Sequence, residues 1–179
     1  YIMKINIKTG AALKKYDFIS SWDDVTMETW LQVLNFKEES KPLEAIKTIE
    51  SLSNIPKDVI KTLELSDVAL LMNKASALQK EKDTVLKKTF TIDDIEYGML
   101  PDLDAMTLGE YADIETYIKA GIEDNMPEIM AILFRPVTER GENNMYTIQA
   151  YDGNISIRAE IMKKMNSLQV QEALVFFGI

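Results

Sequence analysis

The sequence contains neither cysteine nor histidine, and the two absences exclude several kinds of site. Without cysteine there are no disulfide bonds and no thiolate ligands for a metal. Without histidine the chain lacks the commonest general base and the usual zinc ligand, which excludes Ser-His-Asp and Cys-His arrangements. Catalysis would therefore have to use Asp, Glu, Lys or Tyr. We predict that the protein is not an enzyme and has no catalytic residue, metal or cofactor.

Positive charge and long apolar runs are also scarce. Arginine occurs only at Arg135, Arg140 and Arg158, and the formal net charge is −9. This balance opposes direct binding to nucleic acid, whose phosphates require clustered cations. No apolar run approaches the roughly 20 residues that span a bilayer, and "YIMKINIKTG" lacks the apolar centre of a signal peptide. We therefore expect no membrane contact, and a location in the cytoplasm or inside a larger assembly.

What the sequence does contain predicts an α+β fold that is predominantly α-helical. Residues 3–8 alternate apolar and polar side chains, as a half-buried strand does, and residues 14–24 indicate a second strand and a turn. Residues 88–97 alternate around Asp93-Asp94, which predicts a β-hairpin with a two-residue turn. Helix start signals occur at Thr26, Ser40, Asn54, Ser66, Thr107, Asn125, Ser156 and Ser167.

One long segment, residues 137–154, has the composition of a loop. Pro136 disfavours helical geometry at Arg135, so the preceding helix is expected to end there. The segment that follows is rich in Gly and Asn, and only its centre, "MYTIQAY", is a candidate strand.

The chain also contains two similar stretches, "WDDVTMETW" and "LDAMTLGEY", separated by a constant offset of 81 residues. The alignment pairs Thr26 with Thr107 and Trp30 with Tyr111. Further along, Leu65 matches Leu168 at an offset of 103, which implies a net insertion of 22 residues in the second half. We predict two similar helical halves, 1–83 and 84–179, each preceded by a short hairpin or strand pair, in one bilobed unit. The alternative, that amphipathic helices often start in this way, stays open.

Three residues are predicted to cap helices. The Thr26 hydroxyl is placed to accept a bond from an orphan amide in the first helical turn. Thr107 and Glu110 have the S/T-x-x-E spacing of a capping box, in which each side chain binds the other residue's backbone amide. Trp30 is expected to pack into the core of the first half.

Arg135 and several acidic pairs were weighed as binding sites. Arg135 follows a predicted helix, where it can bind the last carbonyls or pair with Glu115 or Glu139, and a structural clamp is favoured over a ligand site. Adjacent carboxylates can bind Mg²⁺ or act as acid and base, but in turns they are more often solvated, and none has calcium-loop spacing. These pairs are Asp23-Asp24, Asp93-Asp94, Asp102/Asp104 and Glu123-Asp124.

The stretch "FTIDDIEYGMLPDLDAMTLGEYADIE", followed by "IMAILFRP", resembles a group of small proteins of tailed bacteriophages. These belong to phages of gut Bacteroides, including the crAss-like phages, and the resemblance covers about residues 88–151. Phe134 stands where that pattern has tyrosine. The resemblance implies a protein of the virion or of its assembly, and it carries over no catalytic residue. Candidate partner contacts are Trp30, Tyr111, Arg135, Tyr146 and Tyr151.

Three functions follow as hypotheses. The leading one is a non-enzymatic virion protein, either a tail or neck component or packaged cargo. It would be made in the host cytoplasm and would bind other phage structural proteins and further copies of itself. The second is a tail assembly chaperone that is absent from the mature virion. The third, which we consider the weakest, is a carboxylate-dependent hydrolase that uses Mg²⁺.

Overall fold

The computed structural model describes residues 2–80 and 85–179. It confirms a mixed α+β protein that is 52% helical and 22% strand, with two small sheets. The described strands are β1 Ile2–Thr9, β2 Ala12–Ile19, β3 Thr89–Ile92, β4 Ile95–Met99, β5 Phe134–Arg140 and β6 Tyr146–Ile148. The described α-helices are α1 Met27–Phe36, α2 Lys41–Leu52, α3 Lys57–Ile60, α4 Leu65–Lys80, α5 Leu108–Ala120, α6 Met126–Leu133, α7 Ser156–Met162 and α8 Ser167–Phe177.

The chain divides into two compact units. Unit 1 consists of residues 1–84 together with residues 166–168, and unit 2 consists of residues 85–165 and 169–179. The boundary predicted between residues 83 and 84 lies outside the described residues.

Unit 1 begins with the antiparallel hairpin β1–β2, which turns at Gly10 in a left-handed conformation. After α1 and α2 the chain returns to the end of β2, where Ser53 forms a bridge with Phe18 and the Asn54 amide donates to the Asp17 carbonyl at 3.1 Å. The core that results is aliphatic. Its buried members are Ile7, Ile49, Ile55 and Ile60.

The start and the buried face of α4 differ from the prediction. Ser66 was predicted to cap this helix, but α4 begins at Leu65 and Ser66 lies within its first turn. Leu70 was predicted on the buried side and is exposed, whereas Ala75 is buried. The apolar residues of α4 do not form one narrow stripe, so helical spacing alone did not identify the buried face.

Unit 2 contains an antiparallel sheet with the strand order β3-β4-β5-β6. The predicted hairpin is confirmed: Ile92 pairs with Ile95, and Asp93 and Asp94 form the turn with φ of 50° and 64°. Positive φ at both turn residues is typical of a type I′ turn, whose twist matches that of the strands.

The segment predicted as a loop, residues 137–154, largely belongs to this sheet. Pro136 does end α6, but its fixed φ also suits an extended strand, and β5 runs on through it to Arg140. The carbonyl of Pro136 accepts a bond from the Gln149 amide at 2.8 Å. A turn with positive φ at Asn143 and Asn144 then leads into β6, which is shorter than the predicted strand at 145–151.

The last two helix starts also need correction. Ile155 precedes α7, which ends at Met162 and so is shorter than predicted. Asn166, rather than Ser167, caps α8, because its side-chain oxygen accepts a bond from the Leu168 amide at 2.9 Å. The Ser167 hydroxyl instead donates to the Trp22 carbonyl at 3.0 Å.

Candidate functional site

The first turn of α5 has the two reciprocal bonds of a capping box. The Thr107 hydroxyl oxygen accepts a bond from the Glu110 amide at 3.2 Å. The Glu110 Oε2 accepts a bond from the Thr107 amide at 2.7 Å. Both orphan donors at this helix start are therefore satisfied, and one oxygen of Glu110 is left for another partner.

That partner is Arg135, the second residue of β5. Its Nη1 lies 2.7 Å from Glu110 Oε1, and the two side chains are each 4% exposed. The same nitrogen donates to the Ile132 carbonyl at the end of α6, at 3.3 Å. Arg135 thus does bind a last helical carbonyl, but the pairing proposed with Glu115 or Glu139 is wrong. Register explains the difference, because Arg135 pairs with Gly98 across β4 and its guanidinium then meets the start of α5.

Glu110 remains ionised in this buried position. Burial by itself raises the pKa of its carboxyl group. The hydrogen bond from the Thr107 amide and the Arg135 guanidinium outweigh that effect, so the pKa of Glu110 lies below its ordinary value. A carboxylate with two such partners is a rigid joint between the start of α5 and the end of α6.

Tyr151 completes the group. The guanidinium carbon of Arg135 lies 5.5 Å from the centre of the Tyr151 ring, within the range of a cation–π contact. The Tyr151 hydroxyl donates a hydrogen bond to Asp113 on α5. Burial, together with the nearby Asp113 carboxylate, raises the pKa of Tyr151. We call Thr107, Glu110, Asp113, Arg135 and Tyr151 the Arg135 cluster.

The other predicted contact residues are dispersed. Trp30, in unit 1, is buried, as expected of a core residue, and its indole Nε1 has no hydrogen-bond partner within the described part of the chain. The half-buried Tyr146 donates its hydroxyl to the Met99 carbonyl at 2.7 Å. Tyr111 lies exposed on α5. Because Trp30 and Arg135 are both buried, they have little surface to offer a partner.

A groove in unit 2 was not anticipated from the sequence. Its cavity volume is about 560 Å³, and most of the side chains around it are apolar. Leu108 lies exposed at the start of the helix that carries much of this lining. The lining residues include Leu103, Met106, Tyr111, Ile118, Ile122 and Phe177, and we call this the α5 groove.

Unit 1 has a second apolar depression, of about 380 Å³, beside the start of α4. Pro42 and Ile46 of α2 line one part of it, and Leu65 and Val68 of α4 line another. Leu65 is 87% exposed, although a leucine gains stability when it is buried.

Two kinds of site were looked for across residues 2–80 and 85–179. No group of three or more carboxylates within those ranges is placed to hold a metal ion. None of the helices described is both long and apolar enough to cross a membrane.

Comparisons with known proteins give no match: no family model, no curated protein and no solved structure resembles the chain significantly. The Arg135 cluster and the apolar grooves must therefore be interpreted from their own chemistry.

Proposed function

We propose that the chain is a non-enzymatic virion protein of a tailed bacteriophage, either a tail or neck component or packaged cargo, which acts through protein–protein contacts. Its partners are other phage structural proteins and further copies of the same chain, and it binds neither nucleic acid nor membrane. It is made in the host cytoplasm and retained in the particle. The resemblance of residues 88–151 supports the viral part of this proposal.

The observation that carries the contact function is the exposure of large apolar side chains at the grooves of both units. Leu65 and Leu70 are exposed on α4, and Leu108 and Tyr111 are exposed on α5. Apolar groups grouped around a groove mark an interaction surface, because an isolated soluble protein gains nothing by leaving them in water. The net charge of −9 keeps such a chain soluble before it meets its partners.

We further propose that the two halves are copies of one ancestral unit. Thr26 and Thr107 support this, since each accepts a bond from the amide three residues later at φ/ψ of −73°/159° and −75°/159°. The short 3₁₀ helices before them, Trp22–Asp24 and Leu103–Ala105, keep the same offset of 81.

The return of the chain to the sheet supports the same offset. Ser53 bridges Phe18 in the first half, and Phe134 pairs with Met99 in the second. Each of these residues is displaced by 81 from its counterpart. A shared helix start would not reproduce a pairing between residues 35 positions apart, so duplication explains the agreement better than a common way of starting a helix.

Later in the chain the backbone bonds favour an offset of 102. The Lys61 amide donates to the Lys57 carbonyl at 3.1 Å, and the Lys163 amide donates to the Ala159 carbonyl at 3.3 Å. Leu65 then corresponds to Ser167, one residue before the Leu168 of the sequence alignment. The net insertion becomes 21 residues, and β6 with its flanking turns contains much of it.

Mass spectrometry of purified virions, with copy counting, tests the proposed function. We expect the chain in mature particles at a defined copy number. Abundance in infected lysate with absence from particles would refute a virion protein and favour the tail assembly chaperone. The hydrolase hypothesis is tested separately by Mg²⁺ titration, because a metal site would raise the melting temperature.

A further inference from the structure

Residues 166–168 bind a site in unit 1 that is formed by residues 22–26. The Asn166 side-chain amide donates to the backbone carbonyl of Asp23 and to its carboxylate, the latter at 2.7 Å. The Ser167 amide donates to the Val25 carbonyl at 2.8 Å, and the Ser167 hydroxyl donates to the Trp22 carbonyl. The site therefore recognises an amide side chain followed by a serine at the start of a helix.

Unit 2 contains the equivalent acceptors at residues 103–107. The Met106 amide donates to the Leu103 carbonyl at 3.1 Å, the same bond and distance as between Val25 and Trp22. Asp104 occupies the position of Asp23, and the amide of each is held by the residue two positions earlier, Asp102 at 2.9 Å and Ser21 at 3.1 Å. The pattern of carbonyls and carboxylate is thus kept.

The apolar residues beside the two sites differ sharply in exposure. In unit 1, Trp22, Met27 and Trp30 are 2%, 0% and 8% exposed. At the equivalent positions of unit 2, Leu103, Leu108 and Tyr111 are 40%, 82% and 53% exposed. The unit 2 residues remain apolar although they are uncovered, which is expected of a surface that a partner covers.

We propose that residues 103–107 and the adjoining α5 groove bind the N-terminus of a helix from a partner protein. The partner helix begins with an Asn-Ser-apolar segment, like residues 166–168. Its Asn binds Asp104, its Ser binds the carbonyls of Leu103 and Met106, and its apolar residues contact Leu108 and Tyr111. This inference rests on the duplicated unit proposed above and names the chemistry of the partner.

The equivalent segment of a second copy does not fit this role. Under the offset of 102, Glu64 takes the place of Asn166. Its carboxylate has no proton to donate at neutral pH, and it would face the Asp104 carboxylate. Like charges at contact distance disfavour that pairing. A different protein that carries an amide residue at this position is therefore the expected occupant.

Nuclear magnetic resonance with the full ¹⁵N-labelled chain tests the proposal. The probe is a synthetic peptide with the sequence of residues 163–177, added to millimolar concentration so that weak binding is detected. We expect saturable shifts of the amide signals of residues 103–111. Asp104→Ala should weaken binding about tenfold or more, because a hydrogen bond to a charged group is worth about 1.5–3 kcal/mol. Glu142→Ala, which removes an exposed carboxylate elsewhere in unit 2, should leave binding unchanged.

A second peptide, with Asn166→Asp, serves as the matched ligand control and should not bind. The proposal is overturned if the first peptide produces no shifts at residues 103–111, or if both peptides bind equally. Concentration-dependent self-association that Asp104→Ala abolishes would overturn it in favour of a second copy as occupant. These results do not depend on virion proteomics, so the inference and the proposed function can fail separately.

Discussion

Removing one member of the buried pair between Glu110 and Arg135 should destabilise unit 2 severely. Arg135→Met keeps much of the volume of the side chain but removes its charge and its donors. Glu110 then stays buried with only the Thr107 amide as a partner. The reverse change, Glu110→Gln, leaves the guanidinium of Arg135 buried without a counter-charge.

The magnitude follows from the burial of both side chains. A surface ion pair contributes only about 0–1 kcal/mol, but each of these side chains is 4% exposed. Breaking a buried pair by removing one partner costs about 3–5 kcal/mol, because the charge that remains has lost both water and partner. Replacing both members is much less costly, so Glu110→Gln with Arg135→Met should recover most of the stability lost by either change alone.

The measurement must report on unit 2. Both tryptophans, Trp22 and Trp30, lie in unit 1, so tryptophan fluorescence does not follow unit 2 directly. Native-state amide hydrogen exchange does, for instance at the Leu100 amide, which donates to the Leu133 carbonyl at 2.9 Å. The exchange free energy there gives the cost of each variant.

Two results would refute this reasoning. If each single variant cost less than about 1 kcal/mol, the pair would behave as a solvated one. If the double variant cost the sum of the two single changes, the side chains would not be coupled. Arg140→Met is the matched control, since the Arg140 pair with Glu96 is largely exposed and its loss should cost little.

Three further predictions concern unit 2. The pKa of Glu110 is lowered on folding, so its ionised form contributes stability above the unfolded pKa of about 4.3; the free-energy difference between wild type and Glu110→Gln should shrink as the pH falls below that value, in urea titrations at several pH values. Gly98→Ala would place a Cβ 2.6 Å from Tyr146 Cε2, and we expect a loss of about 1–3 kcal/mol in chemical unfolding, partly restored by Tyr146→Ala. Asp94→Gly, at a φ of 64°, should raise stability by up to about 1 kcal/mol, and a lower melting temperature would count against the assigned turn.

Local features were predictable from the sequence because neighbouring residues determine them. The turn at Asp93-Asp94 and the caps at Thr26 and Thr107 each depend on a few consecutive residues. The strand β5 was missed because Pro136 carries two signals. It ends a helix and also fits an extended segment, and pairing with β4, which is distant in sequence, decides between them.

The partner of Arg135 depends on sheet register, which the local sequence does not specify. A signal was nevertheless present. A capping-box glutamate uses one carboxylate oxygen on the helix start, and burial of the other requires a cation. With only three arginines in the chain, Arg135 at the helix end was the nearest arginine along the sequence. The α5 groove had no comparable signal, because exposure depends on what the rest of the fold covers.

The two proposed copies solve one structural problem in different ways at the point where the chain returns to the sheet. In unit 1, Asn54 does so locally, since its side-chain oxygen accepts a bond from the Asp17 amide at 2.7 Å. In unit 2, the equivalent Arg135 makes the same backbone pairing, but its side chain binds Glu110 on α5. Unit 2 therefore joins β5 to the first turn of α5, the turn that adjoins residues 103–107. A proposed binding site for a partner helix would benefit from such rigidity, because a preorganised surface loses less entropy on binding.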